Sequence, residues 1–235
     1  SIGIGRDALK ALTSGAGNTA VGYQALDLVK DGGYNTAVGL SALTALPEAG
    51  SHNTAIGYNA LAAHNVDGDG KNTAVGSRAG LALNSGTNNN LFGKDAGVAL
   101  TSGGYNIVIG GNALASEDTG TATVAIGHAA AYAQNYDGSS GTVCIGHNAG
   151  YHNVTGVNNT YIGRAAGLGA SGNSNTGNTA VGKDALASIT TGQYNAVMGL
   201  EAGLQLTTGH DNVIIGVAAG DVTTNIGNAV IIGRA

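Results

Sequence analysis

The chain has 235 residues, 42 of them glycine, with one Pro, one Phe, one Met, one Cys and no Trp. Glycine therefore stands at about 18% against an ordinary usage near 7%, but it lacks the strict third-residue spacing and the proline of collagen. Only 10% of residues are charged and 43% are apolar, with a net charge of -5 and 9 basic residues. That balance argues against a disordered linker and against a concentrated basic face for nucleic acid. Cys144 alone cannot build a disulfide framework, and no run of apolar residues is long enough to span a membrane as a helix.

The glycines are periodic. A large apolar residue followed by glycine recurs at Gly5, Gly22, Gly39, Gly57, Gly76, Gly93, Gly110, Gly127, Gly146, Gly163, Gly182, Gly199, Gly216 and Gly233, at spacings of 17 to 19 residues. A fixed period of this length marks a solenoid in which each repeat is one coil stacked on the last. The sequence predicts an all-β, parallel β-solenoid of about 13 coils over residues 1–235, one elongated domain without a linker.

Each coil can be taken in chain order. Asparagine opens most repeats (Asn18, Asn35, Asn53, Asn72, Asn89, Asn106, Asn159, Asn178, Asn195, Asn212). Coils about 4.8 Å apart would let these amides hydrogen-bond up the stack. A short strand follows, as in "NTAVG". The residue before each anchor glycine is always large and apolar (Val21, Val38, Ile56, Val75, Phe92, Ile109). We expect that column to point into the coil, with the threonines two places earlier (Thr19, Thr36, Thr54, Thr73) sharing its face by the period-2 rule. The alternate column (Ala20, Ala37, Ala55, Ala74, Leu91, Val108, Cys144, Tyr161) is also apolar. Strands apolar on both faces are covered on both, so this second column is expected to meet other chains, as a side-by-side parallel homotrimer.

Three residues past the anchor stands alanine in every copy from Ala8 to Ala219, then Leu or Gly, with Ala131 as the exception. A site that accepts only a methyl predicts a tight inward corner. A further apolar residue at anchor plus seven (Leu12, Leu46, Leu83, Leu100, Ile189, Leu206) suggests a second short strand or bent segment, since the frequent glycine before it disfavours a helix. Glycine ten residues past the anchor (Gly15, Gly86, Gly103, Gly120, Gly156, Gly192, Gly209) is expected to supply a left-handed closing turn.

The strings "VGYQAL", "IGYNAL" and "IGHNAG", with the preceding "NTA", resemble the head repeat of trimeric autotransporter adhesins and, more closely, the "GNTAVGYQAL" repeat of bacteriophage tail-fibre proteins. The resemblance covers the whole chain. It implies a left-handed parallel β-roll in a trimer, although the adhesin coil is shorter than the present one. It further implies a non-enzymatic, extracellular, cell-surface or virion-borne fibre that displays a binding tip. Partners would then be further copies of the chain, end-to-end continuation of the fibre, and a cell-surface glycan or receptor. The apolar-Gly-x-x-Ala string is also similar to the hexapeptide of β-helical acyltransferases, which repeat it three times per coil rather than once; that leaves an acyltransferase as a distant alternative. Both chain ends lie mid-motif, so a longer fibre is expected.

No catalytic, cofactor or metal site emerges from the pattern. His128 and His147 fall in one column of adjacent coils, with His152 nearby, and are read as members of an exposed variable column rather than as a metal site. Cys144 is read as a packed residue. "DGDGKN" at 67–72 lacks the glutamate and spacing of a calcium loop and is read as a turn. Arg78 and Asp95 should pair along the axis. Asn153 and Asn158 head two glycosylation sequons. Tyr132, Tyr136 and Tyr151 form the one modest aromatic group that would favour a glycan-binding module. The threonine column invites an ice-binding reading, set aside because the column is assigned inward and is interrupted by Asn90, Ile107, Val124 and Val143.

Overall fold

The structure is a computed structural model that describes residues 1–46 and 49–234. Fourteen three-residue strands, from β1 (Ile2–Ile4) to β14 (Val230–Ile232), form one parallel sheet in sequence order. Register is kept throughout: Ile2 faces Thr19, Thr19 faces Thr36, and Val213 faces Val230. The chain is thus a β-solenoid of about 13 turns, as the period predicts. Among the described residues no helix is long and apolar enough to cross a membrane.

The strand faces are the reverse of the expectation. The middle residue of each strand is the inward one: Ala20, Ala37, Ala55, Ala74, Leu91, Val108 and Tyr161 are fully buried. The column before the anchor faces out, with Ile56, Phe92, Ile109, Ile162 and Met198 all exposed, and the threonines beside it are half-buried. The period-2 argument correctly paired Thr19 with Val21 on one face but chose the wrong face. Size decides it: the corner residues Leu26, Leu43 and Leu61 and the anchor-plus-seven residues Val29, Leu46, Leu83 and Leu100 already fill the coil. Opposite Leu26, Leu43 and Leu61 the strand carries only the methyls of Ala20, Ala37 and Ala55.

That filling is compensated in most coils, with Ala74–Gly80 and Ala125–Ala131 (small at both sites) and Val108–Leu114 (large at both) as exceptions. Where the strand offers Ala20, Ala37, Ala55 or Ala180, the corner supplies Leu26, Leu43, Leu61 or Leu186. Where the strand offers Leu91, Tyr161, Val197 or Ile214, the corner residue six places on is Gly97, Gly167, Gly203 or Gly220. A Cβ at Gly97 would lie 2.8 Å from Leu100 Cδ1 and 3.2 Å from Leu91 Cδ2, and one at Gly167 would run into the Tyr161 ring. The corner has φ near +50° whichever residue occupies it (Leu26 +51°, Gly97 +55°), so space rather than backbone freedom selects glycine in these coils. The corner alanines Ala25, Ala42 and Ala60 are fully buried, as a methyl-only site requires.

The second strand anticipated after the corner is absent among the described residues. The anchor opens a tight turn instead, with Ala25 N–H donating to Gly22 O at 3.4 Å and positive φ at Gln24. This is the left-handed third residue that a type II turn demands. The segment still bonds from coil to coil, as in Leu26 N–H to Ala42 O at 3.1 Å. The anchors carry φ from +124° to +141°, and a Cβ on Gly5 would approach the next anchor's carbonyl oxygen, Gly22 O, to 2.6 Å. The closing glycines differ from the expectation. Gly15, Gly86 and Gly103 do not take positive φ; a Cβ there would strike the carbonyl oxygen of the glycine one coil on. They permit close stacking rather than a left-handed turn.

The asparagine ladder is present and buried. Asn35 Nδ2 donates to Asn18 Oδ1 at 3.1 Å and to Gly50 O at 2.9 Å, while Asn18 Oδ1 also accepts Asn35 N–H at 3.0 Å. The ladder pauses at Thr123 and Thr142, where Ser140 substitutes: its hydroxyl lies 2.6 Å from Thr123 Oγ1 and accepts Thr142 N–H at 3.2 Å. The anchor-plus-seven column also turns polar in mid-rod. Glu117 accepts Gly120 N–H at 2.8 Å and Tyr136 N–H at 3.2 Å, and Asn153 Nδ2 donates to Gln134 Oε1 at 3.4 Å. Burial pushes the Glu117 carboxyl above its usual range, partly opposed by those two backbone donors.

Candidate functional site

Two surface features stand out, and the coil geometry produces both. The first is the outer face of the sheet. Each strand projects its first and third residues outward, and the third is apolar in every coil from Ile4 to Ile232. In mid-rod the first joins it: β7 (Ile107–Ile109) exposes Ile107 at 40% and Ile109 at 41%, and Val213 and Ile215 repeat the pattern near the far end. No charged residue occurs in either column. At about 4.8 Å per coil this uncharged stripe runs for roughly 60 Å, far beyond the scattered apolar exposure of an ordinary surface. The threonines share this face, so the inward assignment no longer counts against an ice-binding array; the interruption from Asn90 to Val143 does.

The second feature is a cleft of about 430 Å³ at the corner past the anchors, lined by Asn112, His128, Ala129, Tyr132, His147, Asn148 and Tyr151. Repeats 19 residues apart place like residues one above another. The His128 and His147 rings stack with centroids 5.3 Å apart and planes 14° apart, and Tyr132 and Tyr151 stack at 4.8 Å and 5°. His152 does not join the other histidines; it stands edge-on to Tyr151 at 4.6 Å. Tyr136 lies outside the cleft. Among the described residues no group of three His, Cys, Asp or Glu side chains could hold a metal ion.

The remaining sequence candidates fall into place individually. Cys144 is buried in the strand's inner column, and burial pushes its thiol up to about 12. Arg78 Nε donates to Asp95 Oδ1 at 2.6 Å, the axial pair expected, and this bond holds the Asp95 carboxyl below its usual range. In the turn at 67–72, Asp69 Oδ1 lies 2.7 Å from His52 Nδ1 and Asp69 Oδ2 3.2 Å from Lys71 Nζ. Those are protein partners rather than a vacant carboxylate cage. Asn153 is buried, so its sequon is closed to modification in the folded chain, whereas Asn158 is exposed.

Sequence reading singled out the histidines and tyrosines but missed Asn112, Ala129 and Asn148. The signal was present at anchor plus two, a column that carries Gln24, Ser41, Asn59, Arg78 and Asp95 in earlier coils and lapses to alanine at 129 between two asparagines. No protein-family model matches the chain, no curated protein matches it, and no solved structure matches it.

Proposed function

We propose that this chain is a structural rod segment of an extracellular or virion-borne fibre, non-enzymatic, that associates side by side with two parallel copies of itself and holds a binding tip at a distance. One observation carries the reading: an uncharged apolar stripe runs the length of the sheet's outer face. A ligand or a compact partner covers a local patch. A stripe that repeats coil by coil over the whole rod is matched along its length by a surface with the same period, and a parallel copy of the chain has that period. The resemblance of the "NTAVG" repeat to tail-fibre and adhesin-head repeats agrees with this. In-register coil stacking, the amide ladder and the filled interior supply stiffness.

Sedimentation velocity tests the reading. The wild-type chain is expected to sediment as a three-chain, elongated particle. Ile107→Lys with Ile109→Lys should release monomers with an unchanged β signal in circular dichroism. A wild-type monomer at micromolar concentration, or an assembly that survives the double variant, would overturn it.

A further inference from the structure

The cleft at 112–151 has a composition that selects its ligand. Its floor is the anchor-plus-two column, where Ala129 leaves a gap between the Asn112 and Asn148 side chains. Those two residues are two coils apart, hence about 10 Å. One wall is the His128–His147 ladder and the other the Tyr132–Tyr151 ladder. The lining carries two amides, two imidazoles and two phenols, with no carboxylate, lysine or arginine. Each of these groups can both donate and accept hydrogen bonds.

An anionic ligand would find no fixed cation here, and a strong cation no carboxylate. A nucleobase needs an aromatic face on which to stack. Here the facing rings cover one another within each ladder, and His152 stands against Tyr151. In the coil beneath, Gly111 and Ala115 occupy the columns of His128 and Tyr132, and a Cβ built on Gly111 would lie 3.6 Å from His128 Cδ2. What fits is a compact, neutral, many-hydroxyl ring held by its hydrogen bonds. We infer that this notch binds one neutral pyranose unit of a saccharide, with Asn112 and Asn148 at its two ends and the histidine and tyrosine side chains bonding its hydroxyls. The notch lies past the anchor glycines, beyond the strand residues that form the apolar stripe, and the inference does not depend on lateral association.

The test uses the whole chain in its native assembly state. Calorimetric titration with neutral glucose, mannose and galactose oligosaccharides, with sialyllactose and adenosine as anionic and nucleoside probes, gives the ligand class. Ala129→Gln fills the notch with the residue that already occupies the same column at Gln24, whose φ of +54° matches the +53° of Ala129, so the coil is retained and circular dichroism verifies it. The expected result is saturable binding of at least one neutral oligosaccharide, weakened at least about tenfold by Ala129→Gln. Loss of a single hydroxyl in Tyr132→Phe should weaken it by about threefold to tenfold. Failure of every neutral saccharide to bind, equal binding by folded Ala129→Gln, or tighter binding of adenosine or sialyllactose would overturn the inference.

Discussion

The coil that contains Ala20 and Leu26 and the coil that contains Tyr161 and Gly167 enclose the same interior and fill it from opposite sides. In the first, the strand gives a methyl and the corner a leucine. In the second, the strand gives a phenol ring and the corner no side chain at all. The Tyr161 hydroxyl donates to Asn175 Oδ1, so the larger residue brings a polar atom that the coil must satisfy. The lesson of this pair is that one interior volume can be filled from either site, and that neither column can be assigned a face by hydrophobicity alone.

Breaking the compensation should have the largest effect. Tyr161→Ala leaves a ring-sized void beside Gly167 and is expected to cost about 3–5 kcal/mol in urea unfolding. Gly167→Leu alone drives a side chain into the ring and should also destabilise. The double variant recreates the Ala20–Leu26 arrangement, so it should be more stable than either single change, a coupling measurable in a double-mutant cycle. Simple additivity of the two losses would refute volume compensation.

A second contrast is chemical. His64 occupies the anchor-plus-seven column of Leu46 and Leu83, fully buried, with no partner for Nδ1 among the described residues. Desolvation lowers its folded-state value to about 4 from 6.5. The unfolded chain therefore binds a proton that the folded chain refuses. Stability conferred by neutral His64 is complete above about pH 6.5 and is lost as pH falls towards 4, by roughly 3 kcal/mol. His64→Leu should abolish that part of the pH dependence and raise Tm at pH 5; an unchanged slope between pH 6.5 and 4 would contradict it. Glu117 acts with the opposite sign. Its carboxyl is raised, so acidification through its folded-state value relieves a burial penalty rather than imposing one.

Smaller effects come from the ladder and the surface. Asn89→Ala strips an acceptor from Asn106 N–H and Nδ2, at 3.1 and 3.0 Å, and should cost about 1–3 kcal/mol because both donors stay buried. Glu201→Ala removes a pair exposed on both sides, Lys183 Nζ to Glu201 Oε1 at 3.6 Å, and it should shift Tm least of all. A larger loss from Glu201→Ala than from Asn89→Ala in the same melts would reverse this order.

Much of the architecture was legible in the sequence because the repeat is nearly undistorted. The anchor spacing predicts the coil number, Asn18 and Asn35 predict the ladder, and Ala25 and Ala42 predict the tight corner. The face assignment was not legible. Period-2 alternation says that Thr19 and Val21 lie together, but only the space left by Leu26 says which way they point. The closing glycines misled for a related reason: Gly15 and Gly86 are consistent with a left-handed turn as well as with close stacking of carbonyls, and sequence does not separate the two. The cleft was half legible. Aromatic residues announce themselves, whereas Ala129 matters by offering only a methyl between Asn112 and Asn148.

Which strand column faces inward is the central claim, and a pair of neighbouring substitutions tests it. Ala37→Arg and Val38→Arg place the same side chain one residue apart. Thermal melts followed by circular dichroism should show Val38→Arg folded, with its β signal intact, and Ala37→Arg stripped of it by a charge buried without a partner. A folded Ala37→Arg beside a collapsed Val38→Arg would contradict the account.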